Sequence, residues 1–175
     1  GENKTKDFLK KKLNLNDLIN NFNITEELNE NECKSYGCGN NNIKKIKKDK
    51  VNKEISFQTL PGIGEKGYLI IQLKRFSTTG EGNTYTEIKL KNEVSFPLEL
   101  SLKSVKTGNE DIKFRLYAFI NQFGETIHGG HYTSVIKTND GWFEMNDSSV
   151  SEKLTTDKVL NNYQDTVYVL FYERI

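Results

Sequence analysis

Only two cysteines, Cys33 and Cys38, occur among the 175 residues. That is too few for the disulfide framework of a small secreted domain. Charge of one sign is also missing, since 25 Lys and Arg against 24 Asp and Glu leave a net charge of +1. Such a balance gives no global attraction to nucleic acid or to an anionic membrane. No apolar run approaches the roughly 20 residues of a membrane span, and no signal peptide is visible. Cytoplasm or nucleus is therefore the expected location. With one Met and one Trp, apolar bulk must come from the ten Phe and eight Tyr, within a hydrophobic fraction of 35%. That fraction is low but globular, and the length suffices for one domain or one large lobe with a real core.

Periodicity organises what is present. From Asn14 onward, Leu15, Leu18, Ile19 and Phe22 form an apolar helical stripe with Asn14 placed as its N-cap. Residues 26–43 hold both cysteines and the run Asn40-Asn41-Asn42, and read as a loop or knuckle. Six lysines lie between Lys44 and Lys53, suited to an acidic partner or to a solvated hairpin tip. Glu54 to Leu60 alternates and stops at Pro61-Gly62. Tyr68 to Phe76 is a long strand run, with Leu69, Ile71 and Leu73 on one face and Ile70, Gln72 and Lys74 on the other. Thr78 to Asn83 is a Gly-rich turn before a short strand near Tyr85 to Leu90, and Phe96-Pro97 punctuates before Leu98 to Leu102. Ile112 to Phe123 is the longest strand, followed by Tyr132 to Lys137 and Gly141 to Met145. Thr155 to Tyr163 is a short helix capped by Thr155 or Thr156, with Val159, Leu160 and Tyr163 inward, and Thr166 to Arg174 closes as a strand. One N-terminal helix, a large antiparallel sheet and one late helix make an α+β architecture without internal repeats.

The chemistry concentrates in His128-Gly129-Gly130-His131-Tyr132 and, ten residues later, Trp142-Phe143-Glu144-Met145-Asn146-Asp147. His131 stands at the start of one strand, and an amide and a carboxylate stand on its antiparallel partner. A base needs an orienting group within hydrogen-bond reach, which a hairpin supplies. Asn146 or Asp147 would accept from one ring nitrogen and leave the other free as a general base. Asn146 would orient the ring without adding charge, and Asp147 could supply that charge at second hand. Asn146-Asp147-Ser148-Ser149 reads equally as an ordinary turn, because all four residues favour turns. Gly129 and Gly130 would let an extended substrate tail pass close to the base. Neither cysteine has a nucleophile's setting, so the stretch looks like half of an active site.

Five blocks resemble the ubiquitin-specific proteases, the papain-like cysteine deubiquitinases. Leu69 to Phe76 is similar to their L-x-x-x-L-K-R-F signature, and Phe114 to Phe119 to their Y-x-L-x-A-V strand. His128 to Tyr132 matches the G-G-H-Y box, Trp142 to Val150 the W-x-x-F-[DN]-D-x-x-V box, and Tyr168 to Tyr172 the closing A-Y-x-L-F-Y strand. The blocks run in family order over roughly residues 12 to 175. The resemblance implies the palm and part of the fingers of such a protease, with a fingers-proximal helix and knuckle over about 12–53 and the box-bearing sheet over 54–175.

By that resemblance His131 is the catalytic base, Asn146 the third triad member and Asp147 the acidic residue that polarises or substitutes for it. Gly129, Gly130 and Tyr132 fall where the family accommodates the C-terminal Gly-Gly of ubiquitin. The family's Cys box lies far upstream of these blocks and is absent here, so a Cys-bearing N-terminal lobe is an implied partner, beside ubiquitin or a ubiquitinated protein. Catalysis in the family needs no cofactor. Cys33 and Cys38 align with the second cysteine pair of a zinc-binding fingers region, but four residues separate them where the family has C-x-x-C. They are either half of a structural zinc site, whose other pair lies upstream, or two unligated thiols in a loop. Gln122 stands where the family often has His. The implied function is the His/Asn lobe of a thiol-dependent deubiquitinase. A non-catalytic ubiquitin-binding pseudoenzyme is the alternative, and an unrelated β-rich domain is a third.

Overall fold

Alternating apolar and polar residues dominate the second half of the chain, and they become the strands of one large sheet. A computed structural model describes residues 11–22, 25–28, 51–54, 67–79, 86–103, 111–126 and 128–175. In chain order the elements are β1 (Leu13–Asn14), α1 (Leu15–Phe22), β2 (Thr25–Leu28), β3 (Val51–Glu54), β4 (Tyr68–Gln72), β5 (Phe76–Thr79) and β6 (Thr86–Lys89). There follow β7 (Val94–Ser95), β8 (Glu99–Lys103), β9 (Asp111–Thr126), β10 (Gly129–Thr138), β11 (Gly141–Asn146), β12 (Ser149–Val150), α2 (Thr156–Asn161) and β13 (Val167–Arg174). Among the described residues the main sheet has seven strands in the order β12-β11-β10-β9-β13-β4, with β8 pairing the first part of β9. All of its pairings are antiparallel. The α+β reading is borne out.

β9 is the spine because its 16 residues are long enough to pair with β13 along Phe114 to Asn121 and, on the other side, with β8 and then β10. Its Phe119 is fully buried and meets the rings of Phe96 and Tyr163, each at a centroid distance of 5.3 Å. Val135, Val159, Val167, Leu170 and Tyr172 complete the same core, and α1 adds Leu15 and Ile19 from one helical face. The Tyr172 hydroxyl donates to Pro97 O at 2.8 Å, which lets a phenol sit in the core; burial raises its pKa well above the ordinary phenol value. α1 starts where its cap was expected, since Asn14 Oδ1 accepts the Asn16 N–H at 2.8 Å. α2 is capped by Thr155, whose hydroxyl accepts the Lys158 N–H at 3.3 Å. It ends at Asn161, earlier than expected, and buried Tyr163 lies in the turn that leads into β13. Among the described residues no helix is long and apolar enough to cross a membrane.

Three expectations need correction. The run from Tyr68 to Phe76 is not one strand, because β4 stops at Gln72 and β5 begins at Phe76. Arg75 turns inward at the break, and its N–H closes a tight i→i+2 contact with Leu73 O at 2.8 Å. The guanidinium then donates to Val167 O at 2.6 Å, Asn92 O and Gln164 O at 2.8 Å, and Leu90 O at 3.2 Å. Burial pulls its pKa down to about 10 against the opposing pull of Asp165, which leaves it protonated at neutral pH. Second, Thr78 and Thr79 belong to β5, paired with β6, and not to a turn. Third, residues 26–28 are strand instead of loop, because β2 finds an antiparallel partner in β3, the end of the lysine-rich stretch. The rest of the knuckle, the remaining lysines and the Glu54–Leu60 alternation beyond Glu54 lie outside the described residues.

Candidate active site

A two-residue turn joins β10 to β11. Gly141 follows it at φ +144°, a conformation that residues with a Cβ rarely adopt. The turn sets Thr138 opposite Gly141 and therefore Ser134 opposite Met145. Alternation does the rest. His131, Thr133 and Val135 share one face of β10, and Trp142, Glu144 and Asn146 share that face on β11. Burial falls outward along both strands: Val135 and Trp142 lie in the core, and His131 and Asn146 emerge at its rim.

There the two side chains meet. His131 Nε2 lies 2.7 Å from Asn146 Oδ1. An amide oxygen only accepts, so the contact requires the proton on Nε2 and leaves Nδ1 outside the pair. Phe123 flanks the imidazole, with ring centroids 6.2 Å apart. Asp147 follows in the turn between β11 and β12 at φ 51°. Among the described residues its side chain makes no hydrogen bond or ion pair. Of the two orienting candidates the geometry brings Asn146 to the ring. The turn itself is Asp147-Ser148, with Asn146 and Ser149 paired across it.

The two glycines have different reasons for being glycine. A Cβ on Gly129 would meet nothing within 4 Å. On Gly130 it would lie 2.3 Å from Phe123 O and 2.6 Å from Gln122 Nε2, so this position is closed by the neighbouring strand and needs no passing tail to explain it. A bulky side chain at Gly130 would therefore disturb the sheet. Tyr132 alternates to the opposite face from His131 and is half-exposed, its ring 6.5 Å from that of Tyr168. His128 is highly exposed and stands 3.6 Å from Glu87.

Composition and spacing did not single out several supporting residues. Lys89 Nζ reaches across from β6 to donate to Gln122 O and Gly124 O, both at 2.9 Å, tying the end of β9 that faces His131. Burial, then Arg75, lowers its pKa. Gln122 itself is fully buried and donates to Phe123 O at 3.1 Å. Glu144 accepts from Thr133 at 2.8 Å and from Tyr163 at 2.9 Å. The only local signal for it is a carboxylate two places from the core residue Trp142, on the same face of the strand. Burial and the Glu144 bond hold the Tyr163 phenol well above its usual range.

Cys33 and Cys38 lie outside the described residues, so no thiol is part of the described site. Among the described residues no group of three or more His, Cys, Asp or Glu side chains could hold a metal ion.

Comparison with known proteins gives consistent matches. The family model described as "Ubiquitin carboxyl-terminal hydrolase" matches residues 3–172. Ubiquitin carboxyl-terminal hydrolase Usp2 of Drosophila melanogaster is 36% identical over 131 residues, covering 71% of this chain and 12% of its own length. Human ubiquitin carboxyl-terminal hydrolase 3 is 32% identical over 164 residues, covering 90% of this chain and 28% of its own length. Among solved structures, a chain of the SAGA Ubp8/Sgf11/Sus1/Sgf73 DUB module bound to ubiquitin aldehyde superposes with a TM-score of 0.70 at 25% identity, over 95% of this chain and 34% of that one. A chain of the yeast SAGA DUB module gives 0.68 at 28% identity, over 93% and 33%. The chain thus spans about a third or less of each relative named.

Proposed function

Since this chain belongs to the ubiquitin carboxyl-terminal hydrolase family, we propose that it is the base-bearing lobe of a thiol-dependent deubiquitinase. The nucleophilic cysteine comes from elsewhere in the polypeptide. The observation that carries this reading is the 2.7 Å contact between His131 Nε2 and Asn146 Oδ1, which presents Nδ1 to an incoming thiol. His131 takes the thiol proton at Nδ1, and the thiolate attacks the carbonyl carbon of the C-terminal glycine of ubiquitin. The imidazolium then gives that proton to the leaving amine, and water, deprotonated by the same nitrogen, releases the acyl group. Asn146 keeps the ring in one tautomer and orientation throughout. Asp147, exposed and one residue further on, acts on the pair only at a distance.

Ubiquitin or a ubiquitinated protein is the partner, and the tail runs past Gly129, where the backbone is open. Gly130 shapes that edge from within the sheet, and Tyr132 contributes to the substrate surface from the other face. Neither nucleic acid nor membrane is needed, in keeping with a cytoplasmic or nuclear protein. A purely ubiquitin-binding module would have no use for an oriented imidazole, which favours the enzyme over that alternative.

The test is hydrolysis of a fluorogenic ubiquitin C-terminal amide by the complete polypeptide and by this chain alone. The complete protein turns over and the isolated chain does not, because nucleophile, base and oxyanion donors are needed together. His131→Ala in the complete protein lowers kcat by about 10²–10⁴-fold. Retention of most of kcat in His131→Ala removes His131 from the mechanism. Turnover by the chain alone that survives Cys33→Ser and Cys38→Ser refutes the half-site reading.

A further inference from the structure

The backbone ladder between β10 and β11 ends at Ser134 and Met145, short of the His131–Asn146 pair. Beyond that rung the strands are tied by side chains. The first tie is Glu144, whose Oε1 accepts from the Thr133 hydroxyl at 2.8 Å. Its Oε2 accepts from the Tyr163 hydroxyl at 2.9 Å, so both carboxylate oxygens are engaged. Thr133 in turn accepts from Asn121 Nδ2 at 3.1 Å on β9, and Asn121 Oδ1 accepts from Thr166 at 3.3 Å. Thr133, Asn121 and Tyr163 are buried. The main chain of Glu144 is anchored as well, its N–H donating to Ser151 Oγ at 2.9 Å and its carbonyl accepting from Ser151 N–H at 2.9 Å.

His131–Asn146 repeats the diagonal of Thr133–Glu144 one step outward. His131 is two residues from Thr133 on one strand, and Asn146 two residues from Glu144 on the other, a rise of about 7 Å. A sideways slip of β11 against β10 at Glu144 would therefore be passed to the exposed pair, which lies beyond the last β10–β11 rung, His131 being paired with Phe123 of β9 and Asn146 with Ser149 of β12 but not with each other's strand. Placing a carboxylate among buried residues is costly unless it is fully bonded, and an apolar residue would serve packing alone. We propose that Glu144 is a positioning residue for catalysis: through Thr133 and Tyr163 it fixes the separation and register of His131 and Asn146. The inference rests on the base role of His131 proposed above. Glu144 touches neither substrate nor the reacting atoms.

The experiment uses the complete polypeptide carrying Glu144→Ala, Glu144→Gln, Tyr163→Phe or His131→Ala. Steady-state kinetics on the ubiquitin amide are combined with ¹⁵N spectra of the histidine rings, the His131 signal being assigned by its loss in His131→Ala. Glu144→Ala is expected to lower kcat about 10- to 100-fold with KM changed less than about twofold, because a misplacement on the scale of 1 Å has that effect. Its His131 signal should change from a single Nε2–H form to a mixture with Nδ1–H. Glu144→Gln keeps an acceptor for one hydroxyl and should recover much of the loss. Tyr163→Phe, which keeps the ring in the core, should fall between. Added to Asn146→Ala, Glu144→Ala should cost little more, because both act through the same ring orientation.

A merely structural Glu144 would lower the unfolding midpoint without moving kcat or the tautomer signal at temperatures where the variant is folded. That result overturns the proposal, as does full additivity with Asn146→Ala. Should Glu144→Ala fail to fold, unchanged kcat and an unchanged ring signal in Tyr163→Phe overturn it equally. If His131→Ala retains turnover, the base role falls and this inference with it. If His131→Ala is inactive while Glu144→Ala keeps its kcat, only this inference falls.

Discussion

Gly130→Ala should destabilise the sheet although it adds a single methyl group at a rim position. The added Cβ would sit 2.3 Å from Phe123 O and 2.6 Å from Gln122 Nε2. Relieving the first contact alone needs a shift of roughly 1 Å, since carbon and oxygen rest near 3.4 Å. Neither obstacle yields cheaply. Phe123 O belongs to β9, where Phe123 is the register partner of His131, and the Gln122 side chain is fully buried. Overpacking of this kind costs about 1–3 kcal/mol. The upper end applies because the obstacle is backbone, and one weakened hydrogen bond adds about 1 kcal/mol. A loss of about 4 kcal/mol corresponds to roughly 8–16 °C in Tm for a domain of this size. Thermal unfolding checks it against Gly129→Ala, which meets nothing within 4 Å and should stay within about 0.5 kcal/mol of the parent. Equal Tm values for the two variants would refute the assignment of Gly130 to internal packing. Gly129→Val then becomes the clean probe of the tail path, expected to weaken ubiquitin binding in calorimetry with the Tm unchanged.

Arg75→Met should cost about 3–5 kcal/mol in urea unfolding, because buried carbonyls that lose a charged donor are left unsatisfied at roughly 1–3 kcal/mol each before relaxation. Arg75→Lys should rescue little of this, since an ammonium cannot fork to the carbonyls of Val167, Leu90, Asn92 and Gln164. Asn146→Ala should lower kcat of the complete protein by about 10²-fold, through loss of ring orientation. Asp147→Ala should cost much less, because an exposed charge without a direct contact is screened. If Cys33 and Cys38 are half of a zinc site closed by an upstream pair, the complete protein should hold one zinc that Cys33→Ser/Cys38→Ser removes, as metal analysis will show. Zinc that persists in the double variant would exclude them as ligands.

Much of the molecule is legible locally. The stripe behind Asn14, the Thr155 cap and the alternation through β9 each depend on a period and a cap carried within a dozen or so residues, and all three fold as read. The two boxes also announce a histidine and an amide on neighbouring strands, because the chain between them is short enough to be only a hairpin. The choice between Asn146 and Asp147 is different. It depends on which residue the register aims at the ring, and Asp147 has already entered the turn. The break after Gln72 was illegible because Arg75 finds its carbonyl partners 15 to 92 residues away. Glycine at 130 reads as room for a substrate until the backbone of β9 is seen to fill that room. Glu144 looks like a solvated charge until Thr133 and Tyr163 arrive to bond it. The sequence by itself determined most of the elements and the family, since these rest on local period and ordered blocks. Tertiary structure alone decided which side chains meet, because that is set by the pairing of strands far apart in the chain.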